Sequence, residues 1–216
     1  MILKECRKKT AVKKRIAFLG GAFDPPHPGH EMLARKVLDL NLSDVVLWVP
    51  SWSSPHKNAG KMTAFEHRLA MVRLIAEKIP GCEVSDIEAR CAFDPSYSYR
   101  VLSALQDEYP ECELQLLIGQ DSLEQLHLWY CARELAAKYE IIAFPRRRAD
   151  GDDGLCLPID FWGSEMVQKL QKSLVAGEFV EISSTDLRKE LAKTGNMQHI
   201  IPDEILHYIK EHGLYR

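Results

Sequence analysis

The run Val45-Val46-Leu47-Trp48-Val49 carries no polar side chain on either face that an extended strand presents. Successive residues of a strand point to opposite sides, so a strand of this composition must be covered on both. Parallel sheets layered by helices meet that demand. Ile16-Ala17-Phe18-Leu19 and Leu114-Gln115-Leu116-Leu117-Ile118 read the same way, with a further strand from Tyr139 to Phe144. Weaker strands lie near Glu83 to Ile87 and Phe179 to Ile182.

Helical patterns separate these runs. Leu33, Val37, Leu38 and Leu40 share one helix face, and Phe65, Leu69, Val72 and Ile75 another. The latter helix opens on Thr63-Ala64-Phe65-Glu66, which has the pattern of a capping box. Val101, Leu102 and Leu105 mark a helix from Tyr99 to Tyr109, and two short helices follow Gly119. Pro145 to Gly154, rich in arginine, aspartate and glycine, reads as a surface loop. A helix runs from about Ser184 to Ala192, and Pro202 opens the last one at its first position. Strands alternating with helices predict an α/β fold, a Rossmann-like doubly wound parallel sheet with helices on both faces. Residues 15–216 are expected to form one domain, with a small helical part at about 184–216, preceded by a basic tail over residues 1–14.

Composition limits the partners. With 216 residues the chain can bury a proper core, and its net charge of −3 argues against bulk electrostatic binding of nucleic acid. No run reaches the ~18 to 20 apolar residues of a membrane span. The basic tail lacks the apolar stretch of a secretory signal. Cys6, Cys82, Cys91, Cys112, Cys131 and Cys156 are scattered without a C-x-x-C pair, the usage expected of free thiols in the cytoplasm.

Two segments carry the chemistry. Gly20-Gly21-Ala22-Phe23-Asp24-Pro25-Pro26-His27-Pro28-Gly29-His30 joins the first strand to the first helix. Such junctions hold phosphates, because glycine lets the backbone approach and a helix N-terminus presents unpaired N–H groups. It is neither a P-loop nor a G-x-G-x-x-G turn. Its two imidazoles can add N–H donors, although a tight turn with two surface histidines would give the same residues. Far along the chain, Ile182-Ser183-Ser184-Thr185-Asp186-Leu187-Arg188 sets Arg188 one helical turn past Ser184, on the side of the helix N-terminus. In a doubly wound sheet, segments that follow strands converge in the crevice where strand order reverses.

With both segments in view, the chain resembles the nicotinate-nucleotide adenylyltransferases of the H-x-G-H nucleotidylyltransferase superfamily, over about residues 15 to 216. Besides the two segments, Pro55-His56-Lys57 resembles the P-H-K loop of that family and Ser96-Tyr97-Ser98 its S-Y-T. Gly119-Gln120-Asp121 is similar to its G-x-D, and Leu126-His127-Leu128-Trp129 to its L-x-x-W. The resemblance implies that a mononucleotide phosphate attacks the α-phosphate of ATP, giving a dinucleotide and pyrophosphate in NAD biosynthesis. The implied acceptor is nicotinate mononucleotide, and the implied cofactor is Mg²⁺ carried on phosphate oxygens.

The same resemblance implies site roles. His27, His30, Lys57 and Arg188 would serve transfer. Gly20, Gly21, Ala22, Phe23, Gly29, Gly119, Asp121, Ser183 and Ser184 would bind ATP. His56, Tyr97, Ser98, Trp129, Tyr130 and Arg146 would bind the acceptor, with Trp129 stacking on the pyridine ring. Read without the resemblance, Trp129 suits a core position, Asp121 an N-cap, and Arg146-Arg147-Arg148 a solvated run.

The chain departs from the family pattern at Ala22, Trp52-Ser53-Ser54, Cys91 to Pro95, Arg100 and Val101. Apart from Ala22, these lie on the acceptor side. A sister transferase using nicotinamide mononucleotide or another phosphorylated acceptor therefore stays open, as does a non-catalytic nucleotide-binding regulator.

Overall fold

The computed structural model describes residues 13–53, 62–145, 155–176, 184–194 and 200–215. Strands β1 (Lys14–Gly21), β2 (Val45–Pro50), β3 (Cys82–Val84), β4 (Cys112–Gly119) and β5 (Glu140–Phe144) form one sheet in the order β3-β2-β1-β4-β5. All its neighbours pair in parallel, and central Ile16 sits beside both Val45 and Leu114. The helices among the described residues are α1 (Pro28–Asp39), α2 (Phe65–Ala76), α3 (Ile87–Arg90), α4 (Ser98–Glu108), α5 (Gln120–Glu124), α6 (Ala132–Lys138), α7 (Ile159–Lys172), α8 (Ser184–Thr194) and α9 (Asp203–Glu211).

The period of two along each strand divides the apolar runs between two cores. Ile16, Phe18, Val45, Leu47, Leu116 and Ile118 face one side, against Val101 and Leu105 of α4, Leu135 of α6 and Leu170 of α7. Ala17, Leu19, Val46, Trp48, Leu117 and Ile142 face the other, against Val37 of α1, Met71 and Val72 of α2, Leu187 of α8 and Ile205 of α9. Each large side chain buried this way contributes about 1.5–3 kcal/mol. Gln115, the buried polar side chain of β4, lies on the second side, where its amide donates to the Leu42 carbonyl and Glu140 Oε2 at 3.2 and 2.6 Å.

Several local expectations are corrected. The strand expected near Glu83 to Ile87 spans Cys82–Val84, because Ser85 Oγ takes the Ile87 N–H and turns the chain into α3. The capping box at Thr63 does not form: Ala64 caps α2, while Thr63 gives its carbonyl to Arg68 Nε at 2.8 Å and its hydroxyl to Tyr215. Asp121 lies in the first turn of α5, which Gly119 caps. Pro202 caps α9 from outside, its carbonyl accepting the Ile205 and Leu206 N–H groups. Helix α7 was absent from the sequence reading. Its Gly163 has φ 74° and ψ 159°, a left-handed break that suits glycine and interrupts the helical period. The strand expected at Phe179 to Ile182 lies outside the described residues.

From β1 the chain builds outward through β2 to β3, then crosses to β4 on the other side of β1. The order reverses between β1 and β4, and the C-terminal ends of these two strands, Gly20-Gly21 and Gly119, flank that crevice. Among the described residues no helix is long and apolar enough to cross a membrane.

Candidate active site

A cleft of about 480 Å³ opens at this switch point. One wall is the strand-to-helix junction, Gly20, Gly21, Ala22, Phe23 and His30, with Ser184 of α8 close by. The opposite wall holds Gly119 and Asp121, then Trp129 and Tyr130, with Tyr97 and Ser98 at the start of α4. Residues separated by more than a hundred positions thus share one cavity, as the sequence reading expected.

The junction is held from beneath. Phe23 takes φ 47° and buries its ring, which meets His30 edge-on at 4.8 Å and Trp48 at 5.4 Å. His27 caps α1, its carbonyl accepting the His30 N–H at 2.9 Å. In return His30 Nδ1 accepts the His27 backbone N–H at 3.3 Å, and the two rings lie 3.7 Å apart. An imidazole accepting at Nδ1 carries its proton at Nε2. His30 therefore lines the cleft as an N–H donor, whereas His27 is buried behind it with Gly29.

Helix α8 docks on the same junction. Ser184 Oγ donates to the Pro25 carbonyl at 3.1 Å, and Arg188 donates to the Asp24 carbonyl at 2.6 Å and to Thr185 Oγ1 at 3.3 Å. The buried Asp24 carboxylate lies 3.9 Å from Arg188 and accepts the Tyr215 hydroxyl at 2.7 Å. Burial, and then the charge of Asp24, push the Tyr215 phenol well above its usual range.

The far wall is aromatic. Tyr97 and Tyr130 stack 4.7 Å apart at 17°, with the Arg100 guanidinium 5.5 and 5.1 Å from their rings. Trp129 is half-buried, lining the cleft and also packing against the core.

Ser96, which the sequence offered only as part of Ser96-Tyr97-Ser98, also lines the cleft, as does Glu88, which the sequence did not mark. Glu88 is 3% exposed, and burial pushes its carboxyl up to about 7, against the opposing pull of Ser96, the Trp52 N–H at 2.8 Å and Arg68. It sits on a four-residue helix just past the strand expected near Glu83 to Ile87, and no motif marks it. His56, Lys57, Arg146 and Ser183 lie outside the described residues.

Chemically, one end of the cleft offers backbone and imidazole N–H groups beside the N-terminus of α8, and the other offers flat apolar rings. This combination suits a phosphate chain joined to heteroaromatic bases. No three His, Cys, Asp or Glu side chains gather into a metal cage among the described residues.

The cytidylyltransferase-like family model matches residues 18–190. A Synechococcus sp. (strain JA-3-3Ab) protein named "Probable nicotinate-nucleotide adenylyltransferase" is 35% identical over 206 residues, covering 94% of this chain and 95% of that protein. A Symbiobacterium thermophilum protein of the same name is 34% identical, covering 93% and 95%. Among solved structures, Plasmodium falciparum nicotinic acid mononucleotide adenylyltransferase complexed with NaAD superposes with a TM-score of 0.75 at 22% identity, over 94% of this chain and 97% of that one. Its complex with APC gives 0.73 at 21%, with the same coverage. At these identities the structural likeness is one of fold.

Proposed function

The chain is a member of the cytidylyltransferase-like family, among its nicotinate-nucleotide adenylyltransferases, and from that membership we propose that it adenylylates nicotinate mononucleotide. An oxygen of the mononucleotide phosphate forms the new bond to the α-phosphorus of ATP. The bond from that phosphorus to the bridging oxygen breaks, and pyrophosphate leaves with the electron pair. The products are nicotinate adenine dinucleotide and pyrophosphate, a step of NAD biosynthesis.

The observation that carries this reading is the two-ended cleft, with N–H donors on the Gly20 to His30 wall and aromatic rings on the Trp129 wall. The chain's part is alignment and charge stabilisation. His30 Nε2–H and the junction backbone meet the phosphates. Ser184 and Arg188 bind the departing β- and γ-phosphates once Arg188 exchanges its Asp24 carbonyl contact for them. Asp121 takes the ATP ribose. Trp129 stacks on the pyridine ring, and the segment around Ser98 and Tyr130 receives its carboxylate. His27 supports His30 from beneath. His56, Lys57, Arg146 and Ser183 complete the set on the strength of the family resemblance.

Mg²⁺ carried on ATP would be held through the phosphates that the Gly20 to His30 junction, Ser184 and Arg188 receive, and would supply positive charge against the departing pyrophosphate. A cytoplasmic setting fits the free thiols of the described cysteines.

Pyrophosphate release from ATP and Mg²⁺, with nicotinate and nicotinamide mononucleotides supplied in parallel, tests the reading. Turnover of the nicotinate form, lowered about a hundredfold or more in His30→Ala, is the expected result. Equal use of both acceptors would show that the Tyr97–Tyr130 wall does not discriminate. Silence with both would sink the proposal.

A further inference from the structure

Arg68, on α2, is 1% exposed and is not among the residues lining the cleft. Among the described residues its guanidinium makes three hydrogen bonds, all to backbone carbonyls: Nη1 to Ala22 at 2.8 Å, Nη2 to Ser51 at 2.7 Å and Nε to Thr63 at 2.8 Å. Ala22 belongs to the phosphate-facing junction, Ser51 follows β2, and Thr63 leads into α2. A charge buried without a close counter-ion is costly. Asp24 and Glu88 attract Arg68 through space, yet among the described residues neither forms an ion pair with it. Hydrophobic packing of α2 would be achieved at less cost by an apolar side chain, so the guanidinium points to a demand for these three acceptors together.

A trans peptide holds its C=O and the following N–H on opposite sides. Fixing the Ala22 carbonyl on the guanidinium therefore turns the Phe23 N–H away from α2. The Ser51–Trp52 peptide shows the same device closed at both ends: its carbonyl is on Arg68 and its N–H on Glu88 Oε2 at 2.8 Å. We propose that Arg68 is a positioning residue for adenylyl transfer, clamping the Ala22–Phe23 peptide so that the Phe23 N–H is presented to the bound nucleotide. This rests on the reading of the cleft as the ATP site, and concerns a residue that does not touch the substrate.

The test has two arms. In wild-type protein, amide exchange resolved at Phe23 and Trp52 is followed with and without ATP. Phe23 is expected to slow at least tenfold on ATP addition, and Trp52, already bonded to Glu88, to change little. In Arg68→Lys, which keeps the charge but cannot span three carbonyls, kcat/KM for ATP is expected to fall at least tenfold. Its KM for the mononucleotide should stay within about twofold, with activity corrected for the folded fraction. An unprotected Phe23 amide in ATP-saturated wild type, or an Arg68→Lys variant with normal kcat/KM for ATP, would overturn the proposal. Should Arg68→Lys fail to fold, the wild-type arm decides alone. Should wild type bind ATP but turn over neither mononucleotide, the proposed acceptor falls while the Phe23 amide still judges Arg68.

Discussion

Glu88 and its proton give the cleft wall a pH dependence that can be worked out from burial. Its carboxyl is pushed up to about 7 from an ordinary 4.5, because the ionised form loses water that one N–H and one hydroxyl replace only in part. Between those two values the unfolded chain has released this proton and the folded chain still holds it. Stability from this group is therefore full below about pH 4.5, falls as pH rises, and levels off above about 7. The span corresponds to roughly 3 kcal/mol. Glu88→Gln keeps an acceptor for the Trp52 N–H and removes the titration. Denaturant midpoints should find it more stable than wild type at pH 8 and close to wild type at pH 4. The residue was illegible in the sequence for a physical reason. A glutamate acquires such a proton only when tertiary packing takes its water away, and nothing in Ser85-Asp86-Ile87-Glu88 announces that. The place of His30 at the cleft was legible, because glycine and proline after an apolar run mark a strand-to-helix junction, and such junctions lie at the crevice of a doubly wound sheet.

At the scale of elements, α8 and the residues after α9 pack on the second core through Leu187 and Leu214, and a few polar contacts add their tie to the junction. Tyr215→Phe removes the hydroxyl that Asp24 accepts and leaves a buried carboxylate one partner short. Such a loss costs about 1.5–3 kcal/mol, and calorimetry should show it as a lower Tm. Turnover should fall as well, because Arg188 shares Asp24 with Tyr215. The long apolar strands were readable because double-sided burial demands uninterrupted apolar residues. Helix α7 was not, since Gly163 breaks its periodicity and packing on the β5 side of the sheet, through Trp162 and Leu170, supplies what local pattern does not.

For the whole molecule, the strand order decides where chemistry can occur. Gly20 and Gly119 meet because β1 and β4 are neighbours, a pairing that the sequence implied through the rule for doubly wound sheets but did not itself spell out. The contributions of Arg68 and Tyr215 depend on contacts across that architecture, which no local motif encodes. The described residues bring no metal cage of their own to this crevice, and the proposed Mg²⁺ arrives with the nucleotide. A chelator in excess should therefore abolish pyrophosphate release while leaving the melting temperature of the nucleotide-free protein unchanged.

The bond from Tyr215 to Asp24 spans 191 positions of the chain. A ribosome makes the nucleotide junction long before the residue that ties down its aspartate. A chain interrupted between α9 and Tyr215 carries both histidines and the junction glycines, yet its Asp24 carboxylate lacks the tyrosine hydroxyl. Synthesis as far as Tyr215 thereby becomes a condition for a fastened junction, so that products terminated before it would be poor catalysts even where their sheet has formed.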